Sequence, residues 1–181
     1  FSTQHQAIGI VADFVSRIPD SHLYIRIHPN VKTMSASYKT SLMALAQVPN
    51  VTLLNYDSPV SSYQLLHHSK TVVVYCSTIG MEAVFWRKPV IQLGKALYSD
   101  LRGPIRPSSI EELGAWLADR TLKPPADDEA VKYGFFLKTY GIPYRHYQPA
   151  GVFRGTFKGK DLNKYDSYID EPTLFSRMYH V

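Results

Sequence analysis

The order of apolar patterns along the chain predicts an α/β layer fold with a mostly parallel sheet and helices on both faces. Three observations carry this expectation. Segments with strand spacing and helix spacing alternate, and their connections are short. The stretch TVVVY, Thr71 to Tyr75, is β-branched and apolar without alternation, as in a strand covered on both sides. No internal repeat or low-complexity tract competes with that order.

Gln6 to Ile18 has helical spacing, with Ile10, Val11, Phe14 and Val15 on one side and Pro19-Asp20 as the stop. HLYIRIHPN, His22 to Asn30, alternates as a strand does and ends near a proline. Ser35 to Val48 reads as a helix with Leu42, Leu45 and Ala46 inward, and Val51 to Asn55 as a short strand. Ser61 to Ser69 reads as a short helix capped by Ser61 or Ser62. Next come the strand Thr71 to Tyr75, an apolar helix from Thr78 to Arg87, and a strand from Pro89 to Leu93. Ser108 to Asp119 is an amphipathic helix that starts well, with Ser108 or Ser109 followed by Glu111 and Glu112. Asp127 to Tyr140 is the last helix. Pro124-Pro125 marks a break, which suggests one domain over 1–123 and an appended region over 124–181. After Gly141 the chain is rich in Tyr, Phe, Lys, Arg and Gly with little periodicity, as expected of an irregular basic and aromatic arm.

The chain has 181 residues, 45% of them hydrophobic, so it can bury a core. It starts at Phe1, as expected of a fragment or processed product that lacks an N-terminal half. A net charge of +5 favours anionic partners but is too mild to indicate nucleic acid. The single cysteine, Cys76, rules out an internal disulfide, fits a reducing compartment, and is expected to be inert packing. No apolar run approaches the roughly 20 residues needed to span a bilayer.

Ligands of open parallel sheets sit beyond the carboxyl ends of the strands. Three such ends carry unusual residues: His28-Pro29-Asn30, Cys76-Ser77-Thr78, and Gly94 with Lys95 and Tyr98 beyond it. Ser77 and Thr78 open a helix, where backbone N–H groups and two hydroxyls could bind an anion or simply cap the helix. Gly80, early in that helix, suits either a close ligand or tight packing on the sheet. Glu82 lies four residues after Thr78, one too many for a capping box. An isolated acid among Ile79, Met81, Ala83, Val84, Phe85 and Trp86 needs a partner. That partner is either a ligand hydroxyl, such as a ribose, or a cation such as Arg87 or Lys88. Arg26 shares a strand face with His28 and could hold a phosphate or be solvated. His28 could bind phosphate or assist a leaving group. His67 and His68 are adjacent and make a poor metal pair, so no metal site is expected. The arm could stack bases, cover an apolar seam or touch lipid headgroups.

IRIHPN, followed by SSYQLLHHSKTVVVYCSTIGMEAVFWRKPVIQLGKALYSDLRG, resembles the C-terminal half of capsule-polysaccharide biosynthesis proteins, which include bacterial β-Kdo transferases. The resemblance spans roughly His22 to Gly103, with a weaker echo in YGIPY. It implies one Rossmann-like half of a GT-B glycosyltransferase, with a nucleotide sugar, CMP-Kdo in the Kdo enzymes, as donor substrate and no cofactor. On this resemblance His28 and Pro29 would contact the donor nucleotide or its phosphate, and the strand-end reading adds Arg26, Asn30, Gly94 and Tyr98 as binding candidates. By resemblance Ser77, Thr78 and Gly80 would hold its phosphate and Glu82 its ribose, while the residue reading leaves His28 as a possible catalytic group. The implied partners are a glycan or glycolipid acceptor and a missing N-terminal domain, in the cytoplasm at the inner face of the plasma membrane. Polyol-phosphate transfer, sugar-nucleotide epimerisation and a non-catalytic scaffold in polysaccharide export are the alternatives. Two positions depart from the family pattern. Arg87 stands where such proteins often have Gly, and Cys76 replaces a more usual polar residue.

Overall fold

The computed structural model describes residues 3–28, 31–32, 34–126, 128–141, 144–150 and 154–162. The chain divides into two units, Phe1–Lys138 and Thr139–Val181.

The first unit opens with helix α1, Gln4–Arg17. Thr3 caps it by accepting from the Gln6 amide at 3.1 Å, and Ala7, Val11, Ala12 and Val15 form its buried stripe. Strand β1, Leu23–Arg26, crosses through helix α2, Ala36–Ala44, and a short 3-10 turn to strand β2, Val51–Leu54. β1 and β2 are parallel, with Leu23 opposite Val51 and Arg26 opposite Leu54. Helix α3, Ser62–His68, starts with a full capping box between Ser61 and Gln64. Strand β3, Val72–Val74, then crosses through helix α4, Ile79–Phe85, to strand β4, Val90–Gln92. This second pair is also parallel, Val72 opposite Val90 and Val74 opposite Gln92. Ile105 adds a parallel bridge to Ile91. Helices α5, Ile110–Ala118, and α6, Asp128–Thr139, complete the helical set among the described residues.

The mixed α/β class with parallel strands is therefore as expected, but the strands form two separate parallel pairs rather than one continuous sheet. β3 and β4 are covered on both faces. Val74 and Val90 pack with Leu66 of α3, Met81 and Val84 of α4, and Ala130 and Tyr133 of α6. Ile91 packs on the other side with Val11 and Val15 of α1 and Leu113 of α5. β1 and β2 bury one face only: Ile25, Val51 and Leu53 cluster with Ala12 of α1 and Leu42 of α2. Their second face carries Tyr24, 56% exposed, so helices do not cover both faces there. Ala46, expected inward, is exposed, because the 3-10 turn over Leu45–Gln47 rotates it away from the α-helical register. β1 is shorter than expected and ends at Arg26, and Pro29 and Asn30 lie outside the described residues.

In the second unit the expected irregular arm contains a three-stranded antiparallel sheet: β5 Tyr147–Pro149, β6 Gly155–Phe157 and β7 Lys160–Asp161. Lys158 and Gly159, both at positive φ (50° and 74°), form a two-residue hairpin turn between β6 and β7. The Tyr147 ring fills the space where a side chain at Gly155 would stand.

Candidate functional site

The site residues read from the sequence fall into three groups. The first is built around Tyr98. Gln92, almost fully buried, donates to the Gly94 carbonyl at 2.6 Å and to Ser99 Oγ at 2.7 Å, while Ser99 Oγ accepts from the Ala96 amide. That polar clamp folds the turn after β4 and drives Tyr98 into the core, where it is 1% exposed. Its hydroxyl donates to the Ser77 carbonyl at 2.5 Å, and its ring meets Tyr133 edge-on with centroids 5.4 Å apart. Burial pushes the Tyr98 phenol up to about 12. A Cβ on Gly80 would lie 2.7 Å from the Tyr98 hydroxyl and 3.0 Å from Val74 Cγ2. Gly94 likewise faces the Tyr75 ring at 2.8 Å. Tight packing therefore accounts for both glycines. Tyr98, grouped with the binding residues from its place beyond a strand end, is a core residue whose hydroxyl is already engaged.

Ser77 and Thr78 lie at the exposed start of α4. Thr78 is the helix cap in helical conformation, and its side chain makes no capping bond. The turn itself uses the first amides: Ile79 N–H donates to Ser77 Oγ at 3.4 Å and Gly80 N–H to the Ser77 carbonyl at 3.1 Å. The expected row of free backbone donors is thus partly occupied, and a helix of seven residues has a weak dipole. What faces outward is the pair of hydroxyls.

Glu82 has a partner that sequence spacing did not suggest. Tyr63 of α3 donates its hydroxyl to Glu82 Oε2 at 2.7 Å, which raises the Tyr63 phenol above its ordinary range. Tyr63 also stacks on Trp86, centroids 5.9 Å apart. The carboxylate is half-buried rather than isolated in the core. Lys88, considered as its ion-pair partner, instead donates to the His67 and Ser69 carbonyls at 2.7 and 2.9 Å and caps the end of α3.

The third group belongs to β1. Arg26 donates to the carbonyls of Asn55 and Ser58, at 2.9 and 3.3 Å, and so fixes the loop between β2 and α3. His28 is exposed two residues beyond the strand. The parallel β3–β4 pairing puts Ser77 and Gly94 at one edge, whereas His28 follows the other strand pair. Cys76 is exposed, not packed, because the chain has left β3 by that point.

Two open clefts flank β4. One, about 370 Å3, lies past its carboxyl end between Gln6, Leu93, Ser108, Ser109 and Ile110. Ser108 and Ser109 were legible only as a helix cap, which they are: Ser109 Oγ accepts from the Glu112 amide, and Ser108 donates to Glu112, whose carboxyl is held low. The other, about 500 Å3, lies at the amino end of β4. Neither is lined by His28, Ser77, Thr78 or Glu82. Among the described residues no helix is long and apolar enough to cross a membrane.

The family model described as capsule polysaccharide biosynthesis protein matches residues 1–103, from α1 to the loop after Tyr98. The chain has no significant match to a curated protein or to a solved structure.

Proposed function

The chain belongs to the capsule polysaccharide biosynthesis protein family, and from that premise we propose that it is the nucleotide-sugar-binding half of a GT-B glycosyltransferase. One observation carries the reading beyond the family: the exposed Ser77 and Thr78 hydroxyls lie one helical turn before a carboxylate with a spare oxygen. Tyr63 engages Glu82 Oε2, which leaves Oε1 for a ribose hydroxyl. The donor phosphate would accept from the two hydroxyls. In the transfer, the bond from the anomeric carbon to the acceptor hydroxyl oxygen forms as the anomeric carbon–phosphate oxygen bond breaks. The nucleotide leaves with the bonding electrons, and His28 is the candidate to protonate it. CMP-Kdo is the donor suggested by the resemblance, with a glycan or glycolipid acceptor. An N-terminal domain of the same protein would supply the base, at the inner face of the plasma membrane.

Calorimetric titration with CMP and UDP tests the reading. Weak binding is expected, reduced roughly tenfold by Ser77→Ala and by Glu82→Gln, each of which removes one charge-assisted bond. Binding that both variants retain unchanged would sink it. A scaffold without catalytic function in polysaccharide export is the second reading. It is favoured by the packed state of Gly80 and Tyr98 and by the position of both described clefts away from Ser77.

A further inference from the structure

The larger cleft lies at the amino end of β4, the end of the β3–β4 pair opposite Ser77. Its floor is Pro89 and Val90, and its rim carries Arg102, Arg106 and Lys123 against a single carboxylate, Asp100. Six other cations of this unit are tied down: Arg26, Lys39 and Lys88 to carbonyls, Arg17, Arg120 and Lys132 to carboxylates. Arg102, Arg106 and Lys123 have no hydrogen bond or ion pair with any described residue. Three cations facing one acid, without internal partners, leave a local excess of positive charge in a concave surface.

The loop that presents the two arginines is firmly held. Ile105 donates to the Val90 carbonyl and accepts from the Gln92 amide, both at 2.8 Å. Gly103 is buried, and a side chain there would meet Val84 at 3.0 Å. Arg102 and Arg106 thus flank a pinned backbone, which reduces the entropy lost when a ligand binds. The guanidinium fork matches phosphate and carboxylate oxygens. A volume of about 500 Å3 exceeds what a bare anion fills and suits a sugar ring carrying one, with apolar proline and valine walls.

We propose that this cleft is a second anion-binding site, which takes a phosphate or carboxylate group carried on a saccharide. It rests on the cleft alone and stands whether or not Ser77 and Glu82 hold a nucleotide.

Backbone-amide NMR titration of the 181-residue chain tests it with four probes: glucose 1-phosphate, glucuronate, inorganic phosphate and glucose. Glucose 1-phosphate or glucuronate should shift the amides of Leu101 to Arg106, more tightly than inorganic phosphate, while glucose should leave them in place. The better of the two anionic sugars identifies the source of the charge. Arg102→Gln should weaken binding roughly tenfold and Arg102→Gln with Arg106→Gln should abolish it. Lys123→Gln, on a separate segment, should weaken it about threefold. Ser77→Ala should change nothing, which separates this site from the nucleotide site. The proposal is overturned by the absence of shifts at 101–106, by equal binding in the double variant, or by inorganic phosphate binding as tightly as both anionic sugars.

Discussion

The first unit builds the same strand–helix–strand crossover twice, and the two copies end in different surroundings. β3–α4–β4 is enclosed by four helices in addition to its own, and Ile91 and Val84 at its centre are fully buried. β1–α2–β2 covers one face and leaves the other to His22, Tyr24, Arg26 and Thr52, where His22 bonds Thr52 at 2.8 Å and meets the Tyr24 ring at a tilt. Stability is concentrated in the second crossover, and polar chemistry has room only where packing is incomplete. Within the enclosed copy Tyr98 and Gly80 are consumed by packing, while Ser77 and Thr78 stay exposed and Glu82 half-buried.

Substitution of one strand residue in each copy tests this contrast most strongly. Ile91→Ala should cost about 3 kcal/mol, the range for emptying a buried aliphatic site. Tyr24→Ala should cost under about 1 kcal/mol, as for a surface residue with one ring contact. Urea denaturation monitored by circular dichroism reads both. A Tyr24→Ala loss as large as that of Ile91→Ala would mean that the second face of β1–β2 is covered in solution.

Tyr98 gives the next largest effect and a pH signature. Its phenol ionises at about 12 in the fold against 10 when exposed, so folding favours the neutral form. The stabilisation is complete below pH 10 and disappears as pH rises through 12, a loss of about 2 to 3 kcal/mol. Tyr98→Phe should cost about 1 to 2 kcal/mol at neutral pH, since it leaves the Ser77 carbonyl without this donor, and should flatten the alkaline decline. Urea midpoints measured from pH 9 to 12 separate the two behaviours. An unchanged alkaline slope in the variant would place the responsible group elsewhere.

Local signals carried much of the fold into view. Ser61 and Ser109, legible as caps, start α3 and α5, alternation placed β1, and the unbroken β-branched run placed β3. Where a residue's role depends on a distant partner, local spacing is silent. Glu82 is satisfied by Tyr63 on the preceding helix, Arg26 by carbonyls across the strand pair, and Tyr98 by Ser77 and Tyr133. Gly80 signalled a close approach, but not whether the neighbour is a ligand or an aromatic ring. The antiparallel sheet of the second unit escaped notice because its strands are two or three residues long, too short to show a period.

The smallest effect concerns how the two crossovers turn back into their strands. Each passes through one residue in left-handed conformation: Asn50 at φ 60° before β2, and Arg87 at φ 57° before β4. At Arg87 the turn is a Schellman motif, with Arg87 N–H on the Val84 carbonyl and Lys88 N–H on the Ala83 carbonyl, both at 2.9 Å. Asparagine tolerates that region, whereas arginine has a Cβ clash and no short side chain to offset it. The glycine that resembling proteins often carry at this position has a physical reason: it relieves the clash. Arg87→Gly should therefore stabilise the fold by about 0.5 to 1 kcal/mol, and Asn50→Gly by only a few tenths. Arg87→Ala keeps the strain while removing the side chain, so it should show no gain. Thermal denaturation of the three variants reads the comparison. If alanine stabilises as much as glycine, the strain lies in the arginine side chain, and the two crossovers differ in surface contacts rather than in backbone geometry.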